Sequence, residues 1–122
     1  MTATVSTSTG SGTPVSLLVS SAANVALPGN TSVNLLQGTT TTITASGHTL
    51  ALIGRTNADF PLYVQVDISV DGVSIYNDHA GQQIVVKQAL SAGSHTITFT
   101  ALALNQNCNM NAAGLMILDL GL

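Results

Sequence analysis

Glutamate and tryptophan are missing from this chain, and cations nearly so. Of its 122 residues only 6% are charged; Lys87 and Arg55 are the two basic residues, and all five acids are aspartates. A typical soluble domain carries roughly 25% charged residues. Binding to DNA or RNA by counterion release needs several Lys or Arg on one face, so nucleic acid is excluded as a partner. Long hydrophobic runs are also lacking: residues 115–118 form one of the longest, far below the roughly 18–20 needed to span a bilayer, so no membrane partner is expected. Cys108 is the single cysteine, which forbids an internal disulfide and leaves a buried thiol or an intermolecular contact. The N-terminus shows no basic segment followed by an apolar one, so no secretory signal is expected. A Ser/Thr/Asn surface without disulfides or an export signal fits a protein made in the cytosol and later exposed outside, virion components among them.

What is present points to β structure. Hydrophobic residues make up 45% of the chain and polarity comes from Ser, Thr, Asn and Gln. Strong polar helix formers are scarce, while β-branched residues abound. Residues 1–14, rich in Ser, Thr and Gly, cannot bury a face and read as a flexible arm; residues 15–122 read as one domain. Within it, short runs alternate with turn residues. Val64, Val66, Ile68 and Val70, with Leu62 before them, alternate with Gln65, Asp67 and Ser69, which predicts a half-buried strand. Asp71-Gly72 follows, and the alternation resumes at Val73 and Ile75, predicting a two-residue hairpin. Residues 95–104 carry Ile97, Phe99, Ala101 and Ala103 on one face; the other turns from threonine to Leu102 and Leu104, so its later half should be covered by a sheet or subunit. Residues 24–30, 55–61 and 105–111 read as turns or loops, the last on its run of asparagines. The final strand should bury Met116, Leu118 and Leu120. Eight or so short antiparallel strands make an all-β, jelly-roll-like β-sandwich.

Sites of chemistry are few. Asp67, Ser69, Asp71, Gly72 and Asp78 fall at positions 1, 3, 5, 6 and 12 of a calcium-loop spacing, yet strands flank them where that loop needs helices, so the hairpin reading is preferred. His48, His79 and His95 make no metal-binding pair, and no nucleophile, phosphate-loop or dinucleotide motif occurs. No enzyme activity, cofactor or metal is expected. Two phrases share a pattern, Ala45-Ser-Gly-His48-Thr-Leu and Ala92-Gly-Ser-His95-Thr-Ile, too short for a repeat but placing two strands after similar turns. Tyr63 and Tyr76 suggest an exposed platform or a cross-strand pair.

The Ser/Thr arm, the phrase Leu90-Ser-Ala-Gly-Ser-His-Thr-Ile-Thr-Phe-Thr-Ala and the ending Gly114-Leu-Met-Ile-Leu-Asp-Leu-Gly together resemble the small jelly-roll structural proteins of tailed bacteriophages, above all head-decoration (cement) proteins. The same phrases are similar to C1q/TNF-like jelly rolls, which pack as trimers. The resemblance implies a non-enzymatic homo-oligomer, a trimer, bound to the major capsid protein on the outer capsid surface of a virion. Its alternative is a trimeric tail-fibre or receptor-binding tip that recognises a host glycan. The candidate interaction surface comprises Tyr63, Tyr76, Leu102, Leu104, Met116 and Leu118.

Overall fold

The computed structural model describes residues 14–37 and 41–122. Nine strands follow in chain order: β1 (Val15–Leu27), β2 (Ser32–Asn34), β3 (Thr42–Ala45), β4 (Thr49–Ala58), β5 (Val64–Val70), β6 (Val73–His79), β7 (Gln83–Ala89), β8 (Gly93–Ala103) and β9 (Cys108–Asp119). Sheet 1 has the order β1-β9-β4-β7 and sheet 2 the order β2-β8-β5-β6, with β3 also on β8. Both β2 and β3 pair one edge of β8, at Thr100–Leu102 and then Gly93–Thr96. Counted as one interrupted strand, they leave eight strands in two four-stranded sheets, the topology of a jelly roll. The all-β sandwich expected from the sequence is therefore present. The proposed arm lies outside the described residues, except for Pro14.

The core lies between the sheets. Phe99, Ile97 and Ile68 from sheet 2 meet Leu50, Leu52, Ile84 and Ile117 from sheet 1 in one buried cluster. Leu35 and Leu36, in the break between β2 and β3, plug that cluster; the Leu35 N–H donates to the Phe99 carbonyl at 2.7 Å, and the Leu36 N–H to Asn34 Oδ1 at 2.9 Å. Asp71 and Gly72 form the β5–β6 turn, with φ of +50° and +83°, as a two-residue hairpin with this twist requires.

Several expectations are corrected. Strand β1 continues through Asn24, although that residue has φ +54°, because Ala23 pairs with Ala112 and Val25 with Met110 on either side. Ladder pairing overrides turn propensity there. Arg55 belongs to β4, and Asn109 and Asn111 belong to β9. These asparagines satisfy themselves locally: Asn109 Nδ2 donates to Asn111 Oδ1 at 2.6 Å, and Asn111 Nδ2 to Asp59 Oδ1 at 3.1 Å. Leu62 is not in β5 but in a 3-10 turn, Pro61–Tyr63, where it is exposed. In β9 the buried phase is Leu115, Ile117 and Asp119, so Met116 and Leu118 face outward. The register decides this, since Ile117 lies opposite both Leu18 and Leu52.

Gly54 marks the tightest backbone approach in sheet 1. A Cβ there would lie 2.8 Å from the Gly114 carbonyl oxygen and 3.3 Å from Ile84 Cδ1. Gly54→Ala should therefore destabilise the fold by about 1–3 kcal/mol through overpacking, read as a lowered urea midpoint at unchanged slope.

Candidate interaction surface

The two outer faces of the sandwich differ in chemistry. On sheet 2, outward positions are Thr96, Thr98 and Thr100 of β8, Gln65, Asp67 and Ser69 of β5, and Ser74 and Asn77 of β6; Leu102 is an isolated apolar residue among them. On sheet 1, the register sets four outward cross-strand rows. Val19, Met116, Ile53 and Val85 make an apolar row across β1, β9, β4 and β7. Val19 is 67% exposed and Val85 63%. Beside it run Ser16, Leu118, Ala51 and Lys87 on one side and Ser21, Gly114, Arg55 and Gln83 on the other. Ala23, Ala112 and Asn57 make the last. Because Gly114 has no side chain, the surface dips beside Arg55 into two open depressions of about 400 and 560 Å³, both bordered by Arg55 and Gly114.

Charge is divided in the same way. Arg55 and Lys87 both stand on the outer face of sheet 1, where no carboxylate is found: Asp59 is in a loop, Asp71 in a turn, Asp67 and Asp78 in sheet 2, and Asp119 points inward.

The carboxylates of the calcium-like spacing are held by protein groups. Asp67 accepts from Ser69 Oγ at 2.6 Å, from Ser74 Oγ at 2.5 Å and from Asn77 Nδ2 at 3.3 Å. Partial burial alone raises its pKa, but these three donors outweigh that and hold it below the ordinary value. Asp71 turns away to accept from the Thr96 N–H at 2.8 Å and to meet His95. Among the described residues no group of three His, Cys, Asp or Glu could hold a metal ion.

The similar turns before His48 and His95 correspond to two imidazole–carboxylate contacts at one end of the sandwich. His48 Nδ1 lies 2.9 Å from Asp119 Oδ1, and His95 Nδ1 2.6 Å from Asp71 Oδ2. Both histidines touch the same connection: the Leu90 N–H reaches the His48 carbonyl, and His95 Nε2 lies 2.7 Å from the Ser91 carbonyl. Burial works to raise the Asp119 pKa, yet the Gly121 N–H and His48 hold it low. For His95, both ring nitrogens face oxygen acceptors, and both can donate only as imidazolium. Asp71, then the Ser91 carbonyl, hold the His95 pKa above its ordinary value; His95, then the Thr96 N–H, hold that of Asp71 below its own.

A raised histidine pKa gives stability that is complete below 6.5 and is lost as pH climbs through the folded value. A lowered aspartate pKa gives stability that is complete above 3.8 and is lost as pH falls through the folded value. This contact should therefore stabilise most between those two values. Thermal melts of the protein and of His95→Gln across pH 4–9 should show the variant losing most at pH 4–6.5 and converging with the parent at alkaline pH.

The residues singled out from sequence scatter. Tyr63 is exposed in the 3-10 turn, and its carbonyl accepts from the Leu104 N–H at 2.8 Å, so these two meet at the opposite end of the sandwich. Tyr76 lies opposite Ile68 in the ladder, turned toward the core at the sheet edge, and does not pair with Tyr63. Leu102 and Leu104 are half-buried, and among the described residues no further sheet lies over them, which leaves a subunit as the other covering expected. Met116 and Leu118 share the outer face of sheet 1, whose other members, Val19, Ile53 and Val85, the alternation in the sequence does not single out. Their signal was the consecutive apolar residues in each sheet 1 strand. Cys108 is a half-buried free thiol at the start of β9, opposite Leu27.

No protein-family model and no curated sequence matches the chain. Solved structures do match. One is the crystal structure of FlhE, with a TM-score of 0.50 at 10% identity, covering 88% of this chain and 98% of that one. At this identity the likeness is one of fold. The structure matched is FlhE, and not a phage head-decoration protein or a tail-fibre tip. The phage reading and the virion description drawn from it are corrected accordingly.

Proposed function

We propose that the protein is a non-catalytic assembly module that works by pairing with a second copy of itself through the outer face of sheet 1. One observation carries this reading: the apolar row Val19–Met116–Ile53–Val85 crosses all four strands and is open to solvent at both ends. A continuous apolar row of this kind suits a contact surface, whereas the outward strand positions of sheet 2 at Gln65, Asp67, Ser69, Ser74, Asn77, Thr96, Thr98 and Thr100 are polar. Four strands spaced about 4.8 Å apart, over the eight residues from Ser16 to Ala23, give a footprint of roughly 500 Å². Two such faces together come to roughly 1,000 Å², the lower bound for a specific interface. Face-to-face pairing is a closed two-fold arrangement, so the unit proposed is a dimer in place of the trimer suggested by sequence. Sedimentation equilibrium over nanomolar to high micromolar concentrations tests it: mass should rise from 12.4 kDa toward twice that value. A constant monomer mass up to the highest concentration would overturn the reading.

A further inference from the structure

The inference drawn here rests on the self-association reading and specifies its geometry. We infer that the two copies pair about a two-fold axis running along the strands between β4 and β9, so that Arg55 of each enters the depression over Gly114 of the other.

Such an axis exchanges β1 with β7 and β9 with β4 while keeping each cross-strand row at its own level. The consequences follow from the register. In the apolar row, Val19 meets Val85 of the second copy and Met116 meets Ile53, so every contact is apolar on apolar. In the next row, Ser21 meets Gln83, and Arg55 meets Gly114. The longest side chain of the face thus lies opposite its one glycine. On the other side Leu118 meets Ala51, again large on small, and Lys87 meets Ser16 at the rim, where its ammonium stays in water. Packed sheets lie about 10 Å apart, a gap that an arginine can span only where nothing opposes it. Gly114 supplies that space: a Cβ built on it finds only the Ser20 carbonyl, at 3.7 Å.

The other two-fold, running across the strands along the apolar row, is less favourable on charge. It would set Arg55 over Ala51 and Gln83 over Lys87, bringing Arg55 of each copy beside Lys87 of the other. That makes two like-charge approaches. The axis along the strands makes one, between the two Arg55 side chains, which run past each other with their guanidinium groups directed to opposite sheets. Since the face holds no carboxylate, fewer cation–cation approaches decide between the two.

Cross-linking distinguishes them. In a Cys108→Ser background, Val19→Cys and Val85→Cys variants carrying different tags are mixed at a concentration where the protein is dimeric, then treated with a short bifunctional thiol reagent. The expected major product joins position 19 of one copy to position 85 of the other. A preponderance of 19-to-19 and 85-to-85 products would overturn this axis while leaving self-association standing. Absence of any product, with monomer mass in sedimentation, would overturn both. As a second readout, Gly114→Phe fills the depression on an open surface, so it should weaken association at least roughly tenfold while leaving the thermal melt of the dilute monomer nearly unchanged. Undiminished association of Gly114→Phe would also count against the Arg55 placement.

Discussion

Truncation of Phe99 to alanine should lower the unfolding free energy by about 3–5 kcal/mol, the largest loss expected from any single substitution in the core. Phe99 is 1% exposed and is the largest fully buried side chain among the described residues. It lies on β8, a strand paired on both sides, opposite Ile68 of β5, while its carbonyl receives the Leu35 N–H. Collapse around the vacancy is resisted from each direction: β8 is held by β5 and by β2 and β3, and sheet 1 closes the core above. The deletion therefore leaves a cavity as well as losing apolar burial. With a total stability of about 5–15 kcal/mol for an ordinary domain, the variant should sit near the edge of folding. Urea unfolding followed by circular dichroism measures it; a loss below about 1 kcal/mol would mean that the ring is not packed between the sheets.

The second large effect is on association. Ile53→Lys places an ammonium at the centre of the apolar row, between Met116 and Val85 and on a face that carries Arg55 and Lys87 but no carboxylate, where pairing of two copies would strip it of water. An unpaired charge in a closed interface costs about 3–5 kcal/mol, so dimerisation should weaken by roughly a hundredfold or more. Folding of the monomer should be nearly unaffected, because Ile53 points to solvent there. Thr98→Lys, on the exposed face of sheet 2, provides the matched control and should associate as the parent does. Equal weakening by both substitutions would point to a general charge effect and away from sheet 1.

How readable this molecule is from its sequence depends on which sheet is considered. In β5, Val64, Val66, Ile68 and Val70 alternate with polar residues because the outer face of sheet 2 is solvated, so the period of two survives and fixes both the strand and its inward side. Sheet 1 gives no such signal. Leu17-Leu18-Val19, Leu52-Ile53, Ile84-Val85-Val86 and Leu115-Met116-Ile117-Leu118 are apolar at consecutive positions. Where both faces are apolar, hydropathy identifies a strand without saying which side is inside. That is why the sequence alone places Met116 and Leu118 in the core and does not single out Val19, Ile53 and Val85. The pairing of Ile117 with Leu18 and Leu52 resolves the phase, and pairing is a property of the folded chain. Asparagine misled for a related reason. At positions 24, 109 and 111 its preference for turns gave way to the long β1–β9 ladder, since side-chain amides can bond one another across a strand surface. The Asp71-Gly72 turn was legible because its requirement for positive φ is purely local.

Met116 offers the most direct test of the claim that a second copy covers the outer face of sheet 1. Its thioether stands half-exposed in the centre of that face, while Met110, on the same strand, is fully buried and serves as an internal reference. Oxidation by dilute peroxide, followed by peptide mass spectrometry, should be several-fold slower at Met116 in concentrated protein than in protein diluted below the association midpoint, with Met110 slow throughout. A Met116 oxidation rate that is the same at every concentration would contradict the account.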